Sequence, residues 1–365
     1  MGRLFVTSGL LDRSLRGSPS ESEHLMHPPV TSAVTAPPPR LTRVLSGITP
    51  SGPLTLGNYL GALRRFASTA ATEGFYFVAD LHAMTTAHDP RRLHDLTVET
   101  AALFLAAGID PDRSTVFVQS HVPAHVELAY LLECTAHVGE LGRMIQFKEK
   151  GGRPRTRASL FTYPCLMAAD ILLYDTDSVP VGGDQDQHVE LCRDLAVRFN
   201  RLYGETFTVP RLARAALAGR VADLADLRFK MSKSAPPDAA GVIRMLDAPD
   251  VIRRKVSRAV TDSDADVRYA PDTKPGVSNL LDIIAGLTGE QPSEVAAGFS
   301  SYGDLKAACS DAVVAALRPI QERHATLMAD PAGLARMLAA GAATASVQAG
   351  EVLTRARAAM GLVAG

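Results

Sequence analysis

Tryptophan is absent from the 365 residues, and aromatic side chains make up only 5% of them. A biased coding background accounts for that absence more simply than any regulatory use. Cysteine is scarce: Cys134, Cys165, Cys192 and Cys309 stand far apart with no C-x-x-C pair. This excludes a zinc ribbon and a disulfide framework and reads as free thiols in a reducing cytoplasm. No apolar run approaches the roughly 18–20 residues that cross a bilayer, and the start of the chain has no apolar signal core, so no membrane partner is expected. Neither sign of charge is in excess, with 38 basic against 39 acidic residues and a net charge of -1. A nucleic acid would therefore be met by local patches rather than by a globally basic body. There is no repeat at a solenoid period, no Gly-Lys-Ser/Thr of a P-loop, and no Gly-x-Gly-x-x-Gly after the first strand, which argues against a dinucleotide-dependent redox enzyme.

What is present is the composition of a soluble protein of two domains, 46% hydrophobic and 21% charged. Residues 1–40 are rich in Ser, Pro and Gly and end in Thr35-Ala36-Pro37-Pro38-Pro39-Arg40, which predicts a disordered extension. Order is expected from Leu41, where strand formers run to Gly47, and a helix is predicted over Gly57 to Ala71. Further strands are predicted at Phe75–Asp80, Thr115–Gln119 and Ser178–Gly182. Between them lie a helix signposted by Asp89, Pro90 and Gly108, another opened by Pro123, and one over Gln185–Asn200. Strand and helix alternate, so the expected fold is α/β, a Rossmann-like doubly wound parallel sheet. After about Ser234 strand signals fade, and Pro249, Gly276, Pro292 and Asp330-Pro331 punctuate helical periodicity. The expected division is a catalytic domain over 41–235 and a C-terminal helical domain over 236–365.

Two separated segments carry chemistry. Gly47-Ile48-Thr49-Pro50-Ser51-Gly52-Pro53-Leu54-Thr55-Leu56-Gly57-Asn58-Tyr59 is a glycine-rich turn feeding a helix, which presents backbone N–H groups and a positive dipole end to phosphate. Such turns also serve as plain tight connections. Lys230-Met231-Ser232-Lys233-Ser234 places two ammonium groups three residues apart in what reads as an interdomain loop. Asp170 is anomalous in another way, as a carboxylate inside the apolar run Cys165–Leu173.

The lysine pentapeptide is similar to the signature loop of class I aminoacyl-tRNA synthetases, and Thr55-Leu56-Gly57-Asn58 resembles their other signature tetrapeptide. Other stretches resemble the bacterial tryptophan branch of the tryptophan/tyrosine group: Gly139-Glu140-Leu141, Gln146–Lys150, Thr162-Tyr163-Pro164, Met167–Leu172, Val179–Gln185, Ala259–Ser263, Lys274–Leu281 and Leu317–Ile320. The resemblance covers residues 41–365. It implies ATP-dependent activation of L-tryptophan to the adenylate, transfer to tRNA(Trp), a homodimer, and a helical domain that holds the anticodon, its last helix packing back on the catalytic domain.

By the same resemblance, Lys230, Lys233 and Lys150 are catalytic, closing on the triphosphate and its Mg²⁺, with no structural metal. ATP meets Thr49, Pro50, Ser51, Gly57, Asn58, Gly182, Gly183, Asp184, Val221 and the loop residues Met231, Ser232 and Ser234. Tryptophan meets Asp170, Tyr163, Met167, Gln185, His82, Leu45, Gly47, Val179 and Val181. The role implied for Asp170 agrees with elementary chemistry, because a carboxylate only accepts and an indole N–H only donates. Arg253-Arg254-Lys255 and Arg258 are candidate RNA contacts. Two departures stand out: Thr49 where a longer polar or basic side chain is usual, and Ala235 where an acid usually follows the lysine loop. With the missing tryptophan and the extension, they raise the expectation of an auxiliary copy insensitive to a tryptophan-mimicking inhibitor. The rival reading of another class is a synthetase-derived binding or regulatory protein.

Overall fold

The strand signal after residue 41 becomes β1 (Thr42–Ile48), paired in parallel with β2 (Thr72–Val78). The computed structural model describes residues 42–68, 72–181, 186–214 and 221–363, and the extension over 1–40 lies outside them. In place of one helix over 57–71 there are α1 (Leu56–Asn58), a π-helical stretch Tyr59–Leu63, and α2 (Arg64–Ser68). After β2 come α3 (Asp80–Ala83) and α4 (Pro90–Ala106). The ends of α4 follow from local chemistry. Asp89 accepts from the Arg92 N–H at 2.8 Å, Pro90 needs no N–H partner at N1, and Gly108 leaves with φ +102°.

The chain continues through β3 (Ser114–Val118), α5 (Ala124–Glu133), α6 (Val138–Leu141), α7 (Ile145–Lys150) and α8 (Ser159–Leu172). It then forms β4 (Ser178–Val181), α9 (Asp186–Tyr203) and β5 (Arg211–Arg214). The sheet is parallel in the order β3-β2-β1-β4-β5. Strand order therefore reverses between β1 and β4, and open sheets of this kind bind ligands beyond the carboxyl ends at that point. The fold is the expected Rossmann-like parallel sheet followed by a helical region: α10 (Pro249–Ser257), α11 (Pro275–Thr288), α12 (Pro292–Ala297), α13 (Tyr302–Ala329) and α14 (Pro331–Ala359). Four of these five open with proline in the first turn, where a missing N–H costs nothing.

Strand alternation sends Tyr76 and Val78 to one face of the sheet and Phe75 and Phe77 to the other. On the first face they share a core with Phe104 and with Leu280, Leu281 and Leu317 of the C-terminal helices. On the second they share one with Ala169, Val189 and the α14 residues Ala345, Ala349 and Val352. No helix among the described residues is long and apolar enough to cross a membrane.

Helix α14 runs against the edge strand β3 so closely that a Cβ at Gly341 would land on the carbonyl oxygen of Val116. Both partners there are backbone, which cannot swing aside. Gly341→Ala is expected to destabilise the fold by about 1–3 kcal/mol, read as a lower urea midpoint, although alanine is the better helix former. An unchanged or raised midpoint would refute this close approach.

Candidate active site

In an open parallel sheet the ligand crevice lies beyond the carboxyl ends of the strands at the switch point, here β1 and β4. Leu45 and Val179 are buried in the second core, whereas Gly47 is exposed, and a Cβ there would stand 2.6 Å from the Phe77 ring. Gly47 is thus the residue that lets β1 pass the ring and still leave the crevice open. One wall is helix α8, where Tyr163, Met167 and Asp170 fall on one face by their spacing of four and three.

Asp170 is 2% exposed and flanked by the buried Ala169 and Ile171. A carboxylate buried this deeply stays charged only if donors surround it. His82 Nε2 lies 2.7 Å from its Oδ2. Gln119 Nε2 donates to its Oδ1 at 2.7 Å, and His125 Nδ1 stands 2.6 Å from the same oxygen. Behind them the Tyr174 hydroxyl lies 2.8 Å from His125 Nε2. Burial is the largest single influence on Asp170 and opposes ionisation. The charge of His82 and the hydrogen bonds from His125 and His82 outweigh it, holding the carboxyl below the ordinary range. The Tyr163 hydroxyl meets His188 Nε2 and, pushed up to about 12 by burial, stays neutral. The rings of His82 and Tyr163 meet edge to face at 6.1 Å. Met167 is partly buried against the same core.

The glycine turn after β1 carries a pair of cations. Lys233 Nζ donates to the backbone carbonyl of Thr49, and a Cβ at Gly52 would land on the Lys233 carbonyl oxygen. The lysine loop therefore lies directly on the glycine turn. It is anchored by Met231, buried, whose N–H donates to the Val221 carbonyl at 2.9 Å, and by a bridge between Lys230 and Ala222. Ala222 is held in turn by the Asn279 side chain at 2.8 and 3.3 Å. Ser232 and Ser234 hydroxyls meet at 3.0 Å. Burial, with the charge of Lys230 added, lowers the Lys233 ammonium to about 8. Gly57 lies beside the loop, where a Cβ would be 3.4 Å from the Met231 carbonyl oxygen. Asn58 closes the helix start, its Oδ1 accepting from the Thr55 N–H at 3.0 Å and the Thr55 hydroxyl at 3.1 Å.

The site thus combines a buried carboxylate on α8 with a pair of lysines whose loop lies on the turn that follows β1. The model of the class I tRNA synthetases (W and Y) matches residues 39–318. The chain belongs to this family. It is 52% identical over 330 residues to tryptophan-tRNA ligase 1 of Streptomyces coelicolor, covering 88% of this chain and 98% of that one. The tryptophan-tRNA ligase of Mycobacterium leprae is 48% identical over 325 residues, 86% and 94% of the two chains. Among solved structures, the tryptophanyl-tRNA synthetase of Mycoplasma pneumoniae superposes with a TM-score of 0.81 at 36% identity, covering 89% of this chain and 99% of its own. That of Campylobacter jejuni, complexed with ADP and tryptophan, gives 0.75 at 33% identity, covering 88% and 100%. The chain is an enzyme of the bacterial type of this group.

In this synthetase the two class signatures are Thr55–Asn58, at the end of the glycine-rich segment, and the lysine loop, and Gly57 lies against Met231. The contact at Thr49 is to its backbone, so the unusual side chain there leaves it intact. Ala235, the other departure, offers its carbonyl to Arg244 at 3.2 Å. Lys150 stands exposed at the end of α7, donating to Gln146 at 3.2 Å rather than to the glycine turn. Pro50 is buried and Ser51 exposed within the turn. Gly182, Gly183, Asp184 and Gln185 lie outside the described residues, as does the side chain of Val181. Of the basic residues on α10, Lys255 is spent inside the fold on Asp247 and the Val242 carbonyl, both at 2.7 Å, while Arg253 pairs with Asp311 at 3.1 Å and Arg258 is exposed.

Sequence reasoning missed Gln119, His125 and Tyr174. Gln119 immediately follows β3 at the carboxyl edge of the sheet, a position that could have marked it. Nothing local distinguishes His125, in the first turn of α5.

Proposed function

We propose that the chain is a tryptophan-tRNA ligase: it activates L-tryptophan with ATP, releases pyrophosphate, and transfers the aminoacyl group to tRNA(Trp). The observation that carries this reading is the buried Asp170 on α8, held ionised by its donors, in a chain that also keeps the lysine loop on the glycine turn. An indole N–H matches an acceptor-only carboxylate, and phenylalanine, lacking a donor, leaves an acceptor site on it unfilled. Tyr163, Met167, Leu45, Val179 and Gly47 supply the apolar walls, and His82 stands at the mouth beside Asp170.

Activation is an in-line attack of the tryptophan carboxylate on the α-phosphorus of ATP, with pyrophosphate leaving. Lys233 and Lys230 stabilise the negative charge that builds on the phosphates, and the N–H groups of the glycine turn orient them. Magnesium arrives on the nucleotide. The phosphate oxygens would supply its ligands. Lys150 reaches the triphosphate from α7 when the loop closes. The helical region over 236–365 holds the anticodon, with Arg258 and Arg253 among its phosphate contacts.

The reading is tested by pyrophosphate exchange with tryptophan, tyrosine and phenylalanine, followed by charging of total tRNA. Exchange dependent on tryptophan and charging of tRNA(Trp) are expected; no exchange, or exchange with tyrosine instead, would overturn it.

The working unit is proposed to be a homodimer built on α5–α7, where Val126, Tyr130, Val138 and Ile145 are 51–75% exposed. Tyr130→Glu is expected to convert a dimer into monomers in analytical ultracentrifugation. A wild-type protein already monomeric at micromolar concentration would refute this surface as the interface.

A further inference from the structure

We propose that Gln119 and His125 are positioning residues for amino-acid selectivity: they occupy one oxygen of Asp170 and so dictate that the other reads the substrate ring. The inference rests on the tryptophan reading above. Gln119 Nε2 and His125 Nδ1 meet the same atom, Oδ1, at 2.7 and 2.6 Å. A carboxylate oxygen offers about two lone-pair sites, so Oδ1 is filled. Oδ2 has one partner, His82 at 2.7 Å, and keeps the remaining capacity.

The two sides of Asp170 also differ in freedom. Gln119 and His125 are both fully buried, in the 3₁₀ turn Gln119–His121 after β3 and in the first turn of α5. The His125 ring is fixed by Tyr174 at 2.8 Å and lies 5.9 and 6.0 Å from the Phe77 and Phe117 rings. Tyr174 is itself stacked on Phe75 at 4.7 Å. Because Asp170 only accepts, His125 carries its proton on Nδ1, and its Nε2 then accepts from the Tyr174 hydroxyl. His82, on α3, keeps 14% of its side chain exposed and, among the described residues, has only the edge of the Tyr163 ring beside it and no second hydrogen-bond partner for its ring. The rear of the carboxylate is locked and the front is adjustable.

A further observation points to Gln119 in particular. Its Oε1 is buried and has no donor among the described residues. A side chain present only to fill space would do better as leucine or methionine, without a stranded oxygen. What the amide contributes is the N–H on Asp170.

The experiment compares tryptophan with its benzothiophene analogue, in which sulfur replaces the indole N–H, in pyrophosphate exchange. Gln119→Leu is expected to raise KM for tryptophan about ten-fold, the scale of one hydrogen bond to a charged group. KM for the sulfur analogue and for ATP should stay unchanged, as should kcat. His125→Leu should behave alike, and His125→Asn, which can keep a donor near Nδ1, should recover part of the preference. In Gln119→Glu the new carboxyl can donate only while protonated, so KM for tryptophan should climb with pH more steeply than in the wild type. The other groups facing Asp170, His82, His125, Tyr174 and Cys192, are common to both proteins. Equal losses for tryptophan and the sulfur analogue would reduce both residues to packing and overturn the proposal, as would no change for either. If Asp170→Asn also keeps the full preference for tryptophan over the analogue, the tryptophan reading through Asp170 fails; if only Asp170→Asn loses it, the positioning role alone fails.

Discussion

Asp170→Ala is expected to lose about 10²-fold or more in kcat/KM for tryptophan, while KM for ATP, measured by exchange at saturating tryptophan, does not change. The lost contact is a hydrogen bond from a neutral donor to a buried charge, about 1.5–3 kcal/mol, or roughly 10- to 150-fold by itself. The rest comes from the three donors left behind. His82 Nε2, Gln119 Nε2 and His125 Nδ1 would face a methyl group instead of a carboxylate. Removing one member of a buried charged network costs about 3–5 kcal/mol of stability, so Tm should fall together with activity. Exchange in Asp170→Ala within about threefold of the wild type would dispose of Asp170 as the residue that reads the ring.

The same residue makes stability depend on pH at the acid end. Its folded pKa lies below the unfolded value, so the folded state binds fewer protons and stability is present above the unfolded carboxylate pKa. That contribution disappears as pH falls through the folded value. Acid unfolding of the wild type should therefore be steeper than that of the alanine variant below about pH 4.

Lys233→Ala is expected to lower kcat by about 10²–10³-fold with little change in Tm, the range for removing one preorganised charge from a developing anion. The small effect on Tm follows from the lysine's own cost. Its ammonium is desolvated and faces Lys230, and its pKa is lowered to about 8. Between about pH 8 and the ordinary lysine value the unfolded chain binds more protons than the folded one, so the penalty for holding this ammonium in place is fully felt below pH 8 and relieved as pH rises.

A triphosphate reverses the balance by favouring the charged form. ATP binding above about pH 8 should therefore take up a proton, visible as a dependence of calorimetric enthalpy on the buffer's ionisation heat. KM for ATP should rise above the same pH. Lys233→Arg should flatten that rise, because guanidinium stays charged. A proton balance of zero on ATP binding at pH 9 would show that the lysine is already fully charged without nucleotide.

The helix boundaries were legible because their causes are local. Asp89, Pro90 and Gly108 act within four residues of the ends they make, and prolines 249, 292 and 331 open the helices that follow them. The strands β1 to β4 were legible because apolar runs flanked by turn residues have few other uses. β5 was not. Its residues Arg211–Arg214 carry no strand pattern, and their extension is stabilised by pairing with β4, an interaction that exists only once the sheet is built. The π-helical Tyr59–Leu63 likewise has no local signal. Lys255 reads as an exposed helix lysine until the turn at Val242 and the Asp247 carboxylate close on it.

The amino-acid sequence by itself determined the two signature segments, the alternation that makes a doubly wound sheet, and the presence of an acid where apolar residues surround it. Only the tertiary structure decided what surrounds that acid. Its donors lie 88, 51 and 45 residues away, and Thr49 and Lys233 are 184 apart. Propensity and capping act over one helical turn, whereas the free energy of a buried charge depends on which dipoles and cations surround it, and that is known only when the sheet has brought them there.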